Sequence, residues 1–204
     1  MKNTTLKSVS TYIEEGIKKS YTYQEYKDLV RSLLTEGKST GNEQSETLTN
    51  YSMLNDRRMK RWDKTLKINE SVSNAFSNAD LDITWVVLSE GWCGDAAHVL
   101  PVLNKLAGLN KGIDLKIVLR DDNEELMNNF LTNGGKSIPK LIMYDNQKQE
   151  VVNSWGPRPS VATKMVNDYK TKHGGLDPQF KEDLQLWYNK DKGVTIAEDL
   201  LKLL

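Results

Sequence analysis

The middle of the chain alternates short runs of strand-forming residues with stretches of helical periodicity. Residues 83–88 and 115–119 are mainly apolar and β-branched, as expected for buried parallel strands. Each run precedes apolar residues at helical spacing, and the second of these helices is expected to include Leu131. Residues 140–144 and 150–154 flank a short polar segment and predict an antiparallel hairpin. The pattern is therefore β-α-β-α followed by a β-hairpin.

Both flanks of this region have helical patterns. Apolar residues recur at helical spacing over residues 26–34, after Thr22 and Glu25, which fit a capping box. A long, strongly charged second helix is predicted over residues 48–66. Beyond the hairpin, helical periodicity returns over residues 161–172, 178–188 and 196–204. We therefore expect helical extensions on both sides of the β-containing region.

The composition disfavours several classes of partner. Lysine plus arginine and aspartate plus glutamate number 28 each, so the net charge is zero and nothing favours nucleic acid or an anionic membrane. The chain has neither the apolar run of a secretory signal nor the roughly 18 apolar residues of a membrane span. With two histidines and one cysteine, no metal-ligand spacing emerges, and we expect no metal and no cofactor. We expect a cytoplasmic protein of undetermined oligomeric state.

The single cysteine, Cys93, lies in the sequence Trp92-Cys93-Gly94-Asp95-Ala96. This sequence keeps the spacing of a redox Cys-x-x-Cys motif, but Ala96 occupies the second cysteine position. A disulfide needs two sulfurs, so the chain cannot form one within itself. Thiol chemistry would have to proceed through a mixed disulfide with another molecule or through an oxidised sulfur acid, and the third alternative is no redox step. An unpaired cysteine also suits a reducing compartment.

The order of elements resembles the thioredoxin fold. Two segments carry the resemblance, Trp92-Cys93-Gly94-Asp95 after a strand and Ser137-Ile138-Pro139-Lys140 before the hairpin. The added segments 120–124 and 155–159 and the helical flanks are similar to a bacterial branch of thioredoxin-like proteins typified by Trp-Cys-Gly-Asp-Cys. The resemblance implies an α/β thioredoxin-like fold with a central mixed sheet of about four strands flanked by helices. We divide the chain into a helical N-terminal extension packed on the core, a thioredoxin-like core and a C-terminal helical extension: residues 1–78, 79–173 and 174–204.

The resemblance also assigns roles to individual residues. Cys93 matches the nucleophilic cysteine, Trp92 the indole beside it, and Pro139 the cis-proline whose loop faces the sulfur. Backbone groups at Ile138 would then bind an extended substrate. Val87 occupies the position where dithiol members bury an aspartate, so this aspartate and the second cysteine are both missing. The remaining supporting residues that we expect at the site are Gly94, Asp95, Trp155 and Arg158.

The environment of Cys93 decides its reactivity. A helix amino terminus at Cys93 would lower the pKa of the thiol and make it partly ionised at neutral pH, whereas the charge of Asp95 would oppose ionisation. Arg158 is a candidate compensating cation, and an ion pair of Arg158 with Asp121 or Glu90 is the structural alternative. His98 lies more than one helical turn past Cys93, so we expect it on the surface or in helix packing rather than as a base.

Two functions from different classes fit these residues. The first is a monothiol protein whose Cys93 thiolate exchanges with disulfides or low-molecular-weight thiol adducts through an intermolecular mixed disulfide. Its partner would be a protein or a small-molecule thiol or disulfide. The alternative is a catalytically degenerate thioredoxin-fold binding module that uses the groove around Cys93, Pro139 and residues 155–159. The sequence favours thiol-disulfide oxidoreductase chemistry and leaves turnover open.

Overall fold

The computed structural model describes residues 8–204 and has a four-stranded sheet surrounded by helices. The elements in chain order are α1 Val9–Ile17, α2 Tyr23–Thr35, α3 Glu46–Thr65, α4 Glu70–Asn78, β1 Ile83–Ser89, α5 Ala96–Ala107, β2 Ile113–Leu119, α6 Glu124–Asn128, β3 Lys140–Asp145, β4 Glu150–Trp155, α7 Ser160–His173, α8 Pro178–Asp191 and α9 Val194–Leu201.

The sheet has the strand order β2-β1-β3-β4, with β1 and β2 parallel and the other neighbours antiparallel. All seven residues of β1 are buried, which agrees with its mainly apolar sequence. Val87 pairs with Ile117 of β2 and Leu141 of β3 in the middle of the sheet. The predicted α/β thioredoxin-like fold with helices at both ends is confirmed.

The helical flanks share the hydrophobic core of the sheet. Ile13, Met59 and Phe76 from the amino-terminal helices and Tyr188 and Leu200 from the last two helices belong to one buried cluster with the strands. The three parts divided at residues 78 and 173 therefore share one hydrophobic core, and the division itself stays a prediction. No helix within residues 8–204 is both long and apolar enough for a membrane span.

Local signals predicted some helix boundaries and missed others. Thr22 and Glu25 form the expected capping box at the start of α2. Helix α6 ends at Asn128 instead of including Leu131, because the chain turns back through a bridge between Thr132 and Gly135. Helices α1 and α4, which we did not predict, are only nine residues each.

Candidate functional site

Cys93 lies in a turn just before α5 rather than within the helix. Its backbone N–H donates to the Glu90 carbonyl at 3.1 Å, and the helix begins at Ala96. The Cys93 Sγ donates to the Ile138 carbonyl oxygen at 3.3 Å, and the Ile138–Pro139 peptide bond is cis. The two segments that carried the sequence resemblance are therefore in contact. Cys93 is nearly buried, with 7% of the residue exposed.

The expectation that Cys93 is partly ionised at neutral pH is wrong in this structure. Burial, followed by the charge of Asp95, raises the pKa of the Cys93 thiol from 9.0 to about 12. Backbone N–H groups of Ala96 and Asp95 and the charge of Arg158 act in the opposite direction and are outweighed. The helix amino terminus does contribute as expected, but desolvation has the larger effect on the thiol.

Asp95 is held by two groups from distant parts of the chain. Its Oδ2 forms an ion pair with Arg158 Nη2 at 2.6 Å, and its Oδ1 accepts a hydrogen bond from the Tyr188 hydroxyl at 2.9 Å. Arg158 thus pairs with Asp95, and not with Asp121 or Glu90 as the structural alternative proposed. Burial raises the pKa of the Asp95 carboxyl, while Arg158 and then Tyr188 act to lower it.

The acids that we had considered for Arg158 have other partners. Arg120 pairs with Asp121 at 2.7 Å, and the backbone N–H of Asp121 donates to Glu90. The Arg120 guanidinium also lies over the Trp92 ring, 4.9 Å from its centroid. Trp92 is therefore fixed beside Cys93 by a cation-π contact.

A groove of about 790 Å³ lies over Cys93, which is within the range of small-ligand sites. Six of the predicted residues line it: Trp92, Cys93, Gly94, Asp95, Ile138 and Arg158. Pro139 and Trp155 do not. Pro139 is buried behind Ile138, and Trp155 is the last residue of β4, where it pairs with Leu141. Pro157 lines the groove instead of Trp155.

The walls of the groove come from the helical flanks. One wall is the α3 face that carries Leu48, Tyr51, Leu54 and Arg58. The facing wall is the chain from Leu176 into α8. The site is thus a thioredoxin-type cysteine loop at a groove that is lined by helices from both sides of the predicted core.

A thioredoxin family model matches residues 41–170, well over half of the chain. The chain belongs to the thioredoxin family. The match begins before α3, so it includes one groove wall as well as the cysteine loop. Among curated proteins, none matches this chain significantly.

Two solved structures have the same thioredoxin-like fold. One is a crystal structure of a protein of unknown function from Pseudomonas aeruginosa, with a TM-score of 0.54 and 18% identity, covering 90% of this chain and 96% of that chain. The other is the crystal structure of an HIV epitope-scaffold, with a TM-score of 0.54 and 16% identity, covering 90% and 97%. At these identities the likeness concerns the fold.

His98 is buried in this thioredoxin-family protein, where it joins three helices. Trp62 Nε1 donates to His98 Nδ1 at 2.9 Å, so the opposite nitrogen, Nε2, carries the proton and donates to Gln185 Oε1 at 2.7 Å. The ring stacks on Tyr188 with 4.4 Å between centroids. Burial lowers the pKa of His98 to about 4. We expected His98 either on the surface or in helix packing, and the structure shows helix packing.

Sequence reasoning missed the contributions of Arg58, Tyr188 and Gln185. Arg58 belongs to an extension that we predicted to pack on the core, and Gln185 and Tyr188 belong to a C-terminal helix whose role the sequence left open. No local motif marks a side chain that reaches a site on another element. Within residues 8–204, no group of three or more histidine, cysteine or acidic side chains is arranged to hold a metal ion.

Proposed function

We propose that this chain is a monothiol thioredoxin-like protein that forms intermolecular mixed disulfides at Cys93. The observation that carries the proposal is the position of Cys93 Sγ, at the floor of a groove and against the carbonyl of Ile138. The sequence contains no second sulfur from cysteine to resolve such a disulfide. Membership of the bacterial Trp-Cys-Gly-Asp-Cys branch and a cytoplasmic location are parts of this proposal, supported by residues 92–95 and by the unpaired thiol.

The reaction balances without a cofactor. The Cys93 thiol loses its proton, and the thiolate attacks a disulfide R–S–S–R′. A bond forms between Cys93 Sγ and one sulfur as the S–S bond breaks, and the R′–S⁻ that leaves takes up the proton. A second thiol then attacks the mixed disulfide, which restores the Cys93 thiol and releases the new disulfide. The N–H groups of Ala96 and Asp95 and the charge of Arg158 stabilise the thiolate as it forms.

Trapping of mixed disulfides in a cell extract tests this proposal. Adducts should form on the wild-type protein, disappear on reduction and be absent from Cys93→Ser. A matched control places a thiol elsewhere, by adding Leu186→Cys to Cys93→Ser, because Leu186 is 56% exposed and does not line the groove. The proposal is contradicted if this control yields the same adducts as the wild-type protein.

The binding-module alternative also has an observation in its favour. Cys93 is nearly buried and its pKa is raised to about 12, which a module without turnover would tolerate. Such a module would bind the same partners non-covalently, and Cys93→Ser would retain them. Ala96→Cys distinguishes the two functions. It should create dithiol reductase activity if the groove supports exchange, and the variant should be inactive if the groove only binds.

A further inference from the structure

The groove over Cys93 has an excess of positive charge. Three of its cations are neutralised by acids of the same chain: Arg120 by Asp121, Lys136 by Glu124 and Arg158 by Asp95. The other two, Arg58 and Lys181, have no carboxylate within ion-pair distance among residues 8–204. Glu182 is the groove acid that remains without an ion pair in that part of the chain. The charge of the groove therefore complements an anionic ligand.

Arg58 is held in a defined position beside the cysteine loop. Its Nη1 donates to Asn55 Oδ1 at 2.9 Å, and the buried Asn55 donates through Nδ2 to the Gly91 carbonyl at 2.9 Å. A methyl group on Gly94 would lie 3.7 Å from the Arg58 Nη1. The guanidinium is thus fixed next to the residue that follows Cys93.

The charge of Arg58 is only partly solvated. Burial lowers the pKa of Arg58, the neighbouring charge of Arg61 acts in the same direction, and the charge of Asp95 opposes both. A partly desolvated cation with no carboxylate at ion-pair distance within residues 8–204 is destabilising in the free protein, and an incoming carboxylate would relieve that cost. A guanidinium is also suited to binding a carboxylate through two parallel hydrogen bonds.

The same face of α3 carries exposed apolar side chains. Tyr51 is 47% exposed and Leu54 is 42% exposed, and both line the groove on the turns that precede Arg58. Leu48 and Arg58 are separated by about 15 Å along the helix at 1.5 Å per residue. This distance corresponds to about four to five residues of extended peptide, so the α3 wall is longer than a small polar thiol.

We propose that the groove selects extended peptide segments in which the cysteine has an acidic neighbour that pairs with Arg58 and an apolar neighbour that packs on Tyr51 and Leu54. This inference names a substrate class for the mixed-disulfide chemistry and rests on the proposed function. The apolar contacts provide affinity, and the ion pair sets the preference for acidic sequences.

Activated peptides measure this preference directly. The probes are the peptides Leu-Glu-Cys-Leu and Leu-Gln-Cys-Leu, blocked at both ends and carrying a 2-pyridyl disulfide. The Cys93 thiol displaces pyridine-2-thione, whose absorbance gives the rate, and the peptide remains on Cys93. We expect the glutamate peptide to react about tenfold faster than the glutamine peptide at low salt, with a smaller ratio at high salt. Equal rates would overturn the inference.

Charge variants on α3 assign the preference to one residue. Arg58→Gln should reduce the rate ratio to about one, and Arg58→Lys should retain part of it. The matched control is Arg57→Gln, which removes the same charge from the preceding residue of the helix, outside the groove. This control should keep the wild-type ratio. If Arg57→Gln lowers the ratio as much as Arg58→Gln, net charge rather than the groove is responsible and the inference fails.

A binding experiment separates this inference from the exchange chemistry. Fluorescent versions of both peptides with serine replacing cysteine are titrated against the Cys93→Ser protein, with and without Arg58→Gln. If the glutamate peptide binds better but no thione is released, the proposed exchange chemistry fails and the inference about acidic peptides stands. If thione is released at equal rates from both peptides, the exchange chemistry stands and the inference fails. If the 2-pyridyl disulfide of N-acetylcysteine reacts as fast as the glutamate peptide, a small carboxylated thiol is sufficient and the peptide assignment fails.

Discussion

Two polar clusters lie side by side at the start of α5, and they differ in how well their groups are paired. In the inner cluster, Trp62, His98 and Gln185 form a hydrogen-bonded chain in which both nitrogens of the imidazole have partners. In the outer cluster, Cys93 and Asp95 face the groove with Arg158, whose buried Nε has no hydrogen-bond partner within residues 8–204.

This difference separates a structural role from a chemical one. A buried imidazole with both nitrogens paired fixes the helices that contribute to it and has no free donor or acceptor for a ligand. The outer cluster instead contains a protonated thiol beside a charged pair, at a groove that a ligand can enter. Tyr188 connects the two clusters, because it stacks on His98 and donates to Asp95. The inner cluster thereby holds the outer one in place.

The largest expected effect is on the alkylation of Cys93. Because its pKa is raised from 9.0 to about 12, the thiolate population at neutral pH should be about a thousandfold lower than that of a free cysteine. Alkylation by iodoacetamide should be slower in proportion, and its rate should keep increasing above pH 10. The same protein unfolded in urea serves as the control and should react like a peptide cysteine. If the alkylation rate of the folded protein levels off near pH 9, Cys93 ionises like a free cysteine and the proposed difference between the clusters is contradicted.

The next effect concerns the inner cluster in acid. His98 has a pKa of about 4 when folded, so below its ordinary value of 6.5 the unfolded chain takes up a proton that the folded protein does not. Stability is therefore lost as the pH falls, by about 2 kcal/mol between pH 7 and pH 5. Urea unfolding at the two pH values measures this change. His98→Gln should lack this component, and an equal loss in that variant would show that other groups cause it.

The smallest expected effect is the change in Cys93 alkylation when Asp95, in the outer cluster, loses its charge. Asp95→Asn removes the charge that opposes the Cys93 thiolate and leaves Arg158 free to stabilise it, so alkylation at neutral pH should accelerate about tenfold. Glu182→Gln is the matched control, because Glu182 is a carboxylate of the same groove and is not among the groups with the largest effects on the pKa of Cys93. A similar acceleration in both variants would mean that the general potential of the groove controls the thiol.

The strands and the position of the cysteine loop could be predicted because their signals are local. The apolar run in β1 and the capping box of Thr22 and Glu25 each depend on residues close in sequence. The pKa of Cys93 could not be predicted in the same way. The residues around Cys93 suggested ionisation through a helix terminus, but the burial that reverses this comes from packing against Ile138 and the elements beyond it.

The sequence by itself determined the order of elements from β1 to β4, because this order depends on short-range periodicity. Its residues 92–95 and 137–140 carried the resemblance to the family, and Ala96 stands in the second cysteine position. Only the tertiary structure decided that Arg158 pairs with Asp95, that Tyr188 reaches the same carboxylate, and that α3 and α8 enclose the groove. Such contacts join residues far apart in the chain, and no local pattern specifies which side chains meet. Desolvation depends on all the atoms around the sulfur, so the state of the Cys93 thiol was a property of the folded protein alone.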